Sequence, residues 1–184
     1  MDKSKPQFSA VLDFWFSPRV KPLWFKKSEA FDREIKAGFE PMYHQAKQGK
    51  LDQWQDLPQS TLALIIVLDQ FPRNMYRQSP QAFATDDKAV TLTKYAIAHN
   101  YQQSLTTEQQ IFLYMPLMHS EQQTDQTLCV ELFSNLGLED NLKFARRHQE
   151  IINRFDRFPH RNQILGRKST AAEQEFLNQP GSSF

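Results

Sequence analysis

Apolar residues along this chain return every three or four positions, the spacing of one face of an α-helix. The pattern is plainest over 29–48. There Phe31, Ile35, Phe39, Tyr43 and Ala46 define a single stripe, and Gly49 stands where a helix would stop. Ahead of it, Ser9 is placed to cap a short helix carrying Val11, Leu12, Trp15 and Phe16, closed by Pro18 and Pro22. Beyond Pro58, the stretch Thr61 to Phe71 is apolar almost all round, which predicts a central helix buried on every side.

The same spacing continues to the end of the chain. Asp86 or Asp87 opens a helix through Ala98 with Val90, Leu92, Tyr95 and Ala96 inward. Thr106-Thr107-Glu108 opens another through Leu117, kinked or broken at Pro116. Gln126 to Leu136 and Asn141 to Phe155 read as a pair divided at Gly137, and Ala171 to Leu177 as a short last helix. No stretch alternates in the manner of a strand. The expected fold is all-α, with seven or eight helices in antiparallel pairs over one domain, 1–184, arranged as a bundle or a solenoid-like stack. No 34-residue period marks a repeat array.

Composition narrows the class. A chain of 184 residues buries enough surface to fold without a disulfide or metal staple. Five glycines argue against a Gly-rich phosphate loop, and one cysteine, Cys129, excludes an internal disulfide. The longest apolar run, Leu62 to Leu68, falls far short of the roughly twenty residues that cross a bilayer. The start lacks the pattern of a secretory signal, because Asp13 interrupts its apolar stretch. A cytoplasmic location is therefore expected, with no membrane partner.

Charge is balanced overall, at +1, yet unevenly spread. Between Lys143 and Lys168 eight basic residues face only Glu150 and Asp156. A solvated basic helix explains such a run, and a phosphate-facing surface is the sharper alternative. Phe155 fits the helix core better than a base-stacking role, so nucleic acid is not an expected partner.

Two segments echo each other: Asp69-Gln70-Phe71-Pro72-Arg73-Asn74 and Asp156-Arg157-Phe158-Pro159-His160-Arg161-Asn162. Each follows an apolar helix, proline is expected to end that helix, and Arg and Asn would then sit in a loop. Arg presents a planar two-pronged donor suited to carboxylate or phosphate. With Arg77, and with His119 and Glu121 after Pro116, these residues define a candidate binding set: Asp69, Arg73, Asn74, Arg77, His119, Glu121, His160, Arg161 and Asn162. The expected ligand is a small anion or a peptide carboxylate. An alternative is an enzyme, such as a hydrolase, using His119 or His160 as acid or base, although no nucleophile is identifiable. A second alternative is a scaffold that presents a groove to a partner peptide. Asp69 is also placed to pair with Arg73 or Arg77 purely for structure. His148, at helical spacing with Ala145 and Ile152, reads as a core histidine. No HExxH spacing or Cys pair supports a metal site, and no cofactor is expected.

The chain resembles a family of bacterial proteins of unknown function, family 924. The likeness runs through VLDFWF, LALIIVLDQFPRN, AFATD, FLYMPLMHSEQQTDQ and RFPHRNQILGR followed by Ser169-Thr170. It implies a tetratricopeptide-like helical stack and brings neither a reaction nor a catalytic residue list. Position 156, usually Gly in such proteins, is Asp here. Asp tolerates a left-handed backbone at some cost, and its charge would oppose an anion near Arg157 or Arg161.

Overall fold

The computed structural model describes residues 7–183, whose regular structure is all helical, with no strand. Eight α-helices follow in order: α1 Gln7–Trp15, α2 Glu29–Lys47, α3 Pro58–Met75, α4 Asp86–Ala98, α5 Thr107–His119, α6 Gln123–Leu136, α7 Glu139–Phe155 and α8 Ala171–Leu177. Short 3-10 turns connect several of them. None of the described helices is long and apolar enough to cross a membrane.

The packing divides into two compact units. Among the described residues, one takes in those up to Arg77 together with Gln81–Pro116, and the other Gln78–Pro80 and those from Leu117 on. In the first, α3 is the hub, packed on α1, α2 and α4. Its run from Ser60 to Pro72 is buried without a break, as its all-round apolar sequence requires. Trp15 lies between rings of that core, with Phe31, Phe71 and Phe112 at 5.4 to 6.2 Å. In the second unit α6 packs on α7. Phe133, Leu142, Ala145, Ile151, Ile152 and Phe158 are buried there, and Phe155 and Phe176 close the cluster formed by the last three.

Helix ends follow local chemistry where a local signal exists. Ser28 caps α2, accepting the Phe31 N–H. Thr170 and Glu173 form a reciprocal capping box on α8. Gly137 ends α6 with φ 66°. Asp156 ends α7 with φ 56°, so an L-residue occupies a left-handed position that glycine fills without strain.

Several expectations need correction. Ser9 lies inside α1, not ahead of it, because the apolar pattern reaches back to Phe8, whose ring meets Trp54 edge-on at 6.1 Å. Helices α6 and α7 start two or three residues earlier than their apolar residues indicate. Pro116 does not break α5, which runs on to His119. Nor does Pro72 end α3, which continues to Met75. A proline there deprives the Leu68 carbonyl of its helical N–H. The Thr85 hydroxyl takes that place, donating to Leu68 O at 2.5 Å.

Candidate functional site

The nine candidate residues fall into two groups. Asp69, Arg73, Asn74 and Arg77 belong to the first unit, and His119, Glu121, His160, Arg161 and Asn162 to the second.

In the first group the motif is helical rather than a loop, because α3 continues past Pro72. One turn separates Asp69 from Arg73, so both face the same side. The Arg73 guanidinium donates to the Asp69 main-chain oxygen at 2.7 Å, lies 3.0 Å from its carboxylate and donates to Asp86 at 2.9 Å. Gln70 Nε2 donates to the other Asp69 oxygen at 2.6 Å. Burial opposes the charge on Arg73, but Asp69 and Asp86 outweigh it and raise its pKa above the ordinary value. Arg77 and Asn74 both serve Asp32: Arg77 through two N–H donors at 2.5 and 2.9 Å, Asn74 through one at 2.9 Å. Both guanidiniums thus carry carboxylate partners. That arrangement ties α3 to α2 and α4.

The second group surrounds the turn after α7. Glu121 accepts the Phe158 N–H at 2.8 Å and a two-pronged contact from Arg167 at 2.7 and 3.0 Å. Burial works against this carboxylate's charge. Arg167, the Phe158 N–H and the field of Arg161 outweigh it and hold its pKa below the usual range. Arg161 is 6% exposed; its guanidinium lies 4.5 Å from the Phe158 ring centre and donates to the His119 carbonyl at 3.0 Å. Asn162, more deeply buried, donates to the Ser169 hydroxyl at 3.1 Å.

Three imidazoles belong to this setting. His148 and His160 lie 5.5 and 5.6 Å from the Phe158 ring, and His119 is the last residue of α5. Burial pushes His148 down to about 3, and the fields of His119, Arg161 and His160 add to the effect. Burial pushes His160 down to about 4; Arg161, Arg167 and His119 oppose its protonation, and Glu121 favours it. Both rings are therefore neutral at pH 7. Among the described residues no group of three His, Cys, Asp or Glu is disposed to hold a metal ion.

Sequence reasoning missed the residues that organise this corner. Gln126 donates through one nitrogen toward the carbonyls of Leu117, Met118 and Ser120, at 3.2, 2.8 and 2.7 Å, and so closes the end of α5. Arg167 stood only within the basic run, and Phe158 only within the echoed segment. That run is not one exposed stripe. Arg157 is bound to Glu173 at 2.6 and 2.8 Å, Arg154 lies over Phe155 and Phe176, and Arg147 donates to the Gly181 carbonyl. Lys143 and Arg146 line a shallow groove together with Glu139 and Glu150.

The comparisons with known proteins agree with this fold. A family described as bacterial proteins of unknown function (DUF924) matches residues 11–181. The chain belongs to that family. A solved structure of a protein of unknown function from Agrobacterium tumefaciens, ATU0120, is similar over 93% of this DUF924 chain and 96% of its own length, with 35% identity and a TM-score of 0.88. No curated protein matches the chain.

Proposed function

We propose that this DUF924 protein is a cytoplasmic binding protein for a small anion or peptide carboxylate, received by the second unit at His119, His160, Arg161 and Asn162. The observation that carries the reading is electrostatic. At His160 burial is the main force against a positive charge; the field of Arg161 adds to it, Glu121 opposes it, and Arg167 and His119 contribute less. The support for an anion is the buried Arg161 guanidinium beside His160, because its attraction for a negative charge is stronger away from bulk water. The carboxylate partners of Arg73 and Arg77 make the first unit's motif less suited to the role, so the reading rests on the second.

The hydrolase alternative draws less support. A base with a pKa near 4 is a weak proton acceptor at neutral pH, and His160 is of that kind. A thermal-shift series with phosphate, sulfate, acetate and short peptides tests the binding reading. A ligand at 100 times its Kd adds about 2.7 kcal/mol, which raises the melting temperature of a domain this size by roughly 5 to 11 °C. The expected result is a rise with one anion class that His160→Asn removes. A flat series, or a rise that the variant leaves intact, overturns the proposal.

A further inference from the structure

We propose that the turn between α1 and α2 docks the first unit onto a negatively charged lipid surface, with Phe25 entering the interface and Lys26 and Lys27 meeting the headgroups. The surface shares no residue with the anion site proposed above and does not depend on it. Phe25 is 72% exposed, more than any other large apolar side chain among the described residues. Lys26 and Lys27 follow it directly and are exposed as well. From Arg19 to Lys27 the chain carries four basic residues and no acidic one. A ring held in water beside ammonium groups is matched by an interface that is apolar beneath a layer of negative charge.

The turn is built to hold Phe25 outward. Pro22 lies within a 3-10 turn, Lys21–Leu23, where its fixed φ fits. The Leu23 N–H donates to Val20 O at 2.8 Å and the Lys26 N–H to Leu23 O at 3.0 Å, so the turns close one after another. Trp24 anchors the segment from inside: its indole N–H donates to the Trp15 carbonyl at 2.9 Å, and its ring lies 4.6 Å from that of Phe112. The Phe25 ring is nearly parallel to the buried Phe112 ring, at an angle of 6° with centres 6.4 Å apart. Lys21 donates to Glu108 at 2.5 Å and ties the turn to α5. A segment already ordered loses little entropy when it docks.

Exposure and charge together select the partner. A small ligand needs walls on several sides, and a ring standing mostly in water offers one face. A fluid interface closes around such a ring without a preformed pocket. Lysine suits the same boundary, because its stem lies along apolar material while its ammonium reaches a phosphate. The carboxylates bordering the turn are engaged by other cations: Glu34 by Arg19 at 2.6 Å, Glu29 by Arg33 at 3.6 Å and Glu108 by Lys21. The short apolar run of this chain argued against crossing a bilayer. Lying against one asks only for a few side chains at interfacial depth.

Co-sedimentation of the full chain with vesicles tests the proposal. One set is phosphatidylcholine alone, the other equal parts phosphatidylcholine and phosphatidylglycerol. The expected result is binding to the anionic set that weakens as salt screens the charges. Phe25→Ala should reduce it by about tenfold, as withdrawal of a largely buried aromatic side chain implies. Lys26→Gln and Lys27→Gln should each reduce it by about fivefold, the effect of one basic residue near such a surface. Phe25→Leu should stay close to wild type, which separates the apolar anchor from the stack on Phe112. Phe25→Trp should bind and show emission quenched by brominated acyl chains beyond that of the wild type. Absence of binding to the anionic set overturns the proposal. So does binding that Phe25→Ala and both lysine variants leave unchanged, the result a basic helix elsewhere in the chain would give. Stronger capture by immobilised polyglutamate than by the vesicles overturns it in favour of an acidic protein partner.

Discussion

Replacing Thr85 by Val keeps the side chain's shape and removes one hydroxyl. That hydroxyl donates to the Leu68 carbonyl, which Pro72 cannot serve. Leu68 is fully buried, so water has no access to take over. A buried acceptor left unsatisfied costs about 1 to 3 kcal/mol. At roughly 2 to 4 °C per kcal/mol, the melting temperature should fall by about 2 to 12 °C. Urea unfolding followed by tryptophan fluorescence reads the effect directly, because Trp15, Trp24 and Trp54 all belong to the first unit. The decisive measurement is a double-mutant cycle. Pro72→Ala restores an N–H four residues after Leu68, so Thr85→Val in that background should cost about 1 kcal/mol less than in the wild type. Equal costs in both backgrounds would refute the argument that the hydroxyl substitutes for the missing helical donor.

Other consequences are open to measurement. His148 and His160 stay neutral in the fold down to about pH 3 and 4, but protonate near 6.5 in the unfolded chain. The unfolded state therefore binds more protons in this window. Stability should fall as pH drops from about 6.5 toward 4, by up to about 1.4 kcal/mol per pH unit for each ring, and His148→Gln should flatten the slope seen in urea midpoints. Glu173, held near 2 chiefly by Arg157, adds a separate loss below about pH 4.5, absent in Glu173→Gln. Asp156→Gly should stabilise the chain by up to about 1 kcal/mol in the same assay, by relieving a left-handed L-residue. Gly181→Ala should loosen the C-terminal turn, detectable as faster proteolysis there, because Gly181 holds φ 76°, a left-handed backbone that an L-residue strains.

Much of the helical plan was legible because its signals are local. The stripe from Phe31 to Ala46 and the glycine after Leu136 sit within a few residues of what they determine. The path through Pro72 was not legible, because the group that permits it is Thr85, seventeen positions from the carbonyl it serves. The candidate site divides in the same way. Asp69 and Arg73 are a turn apart, and their pairing could be read from that spacing. Arg167 meets Glu121 from 46 positions away, and Gln126 gathers the end of α5 from the next helix. Such partners are chosen by packing, so a basic residue in the sequence carries no sign of whether it faces solvent or a carboxylate.

The complete enclosure of α3 gives the molecule a built-in gauge of its own opening. An amide on α2 can exchange its hydrogen when one turn frays toward solvent, since one face of that helix is already wet. From Ser60 to Pro72 no face of α3 offers that route. Deuterium should reach those amides only when neighbouring helices separate, and their exchange rate then reports the free energy of the largest opening the unit undergoes. A ligand that tightens the unit, or a substitution that loosens it, would register there even when its own contacts lie on the surface.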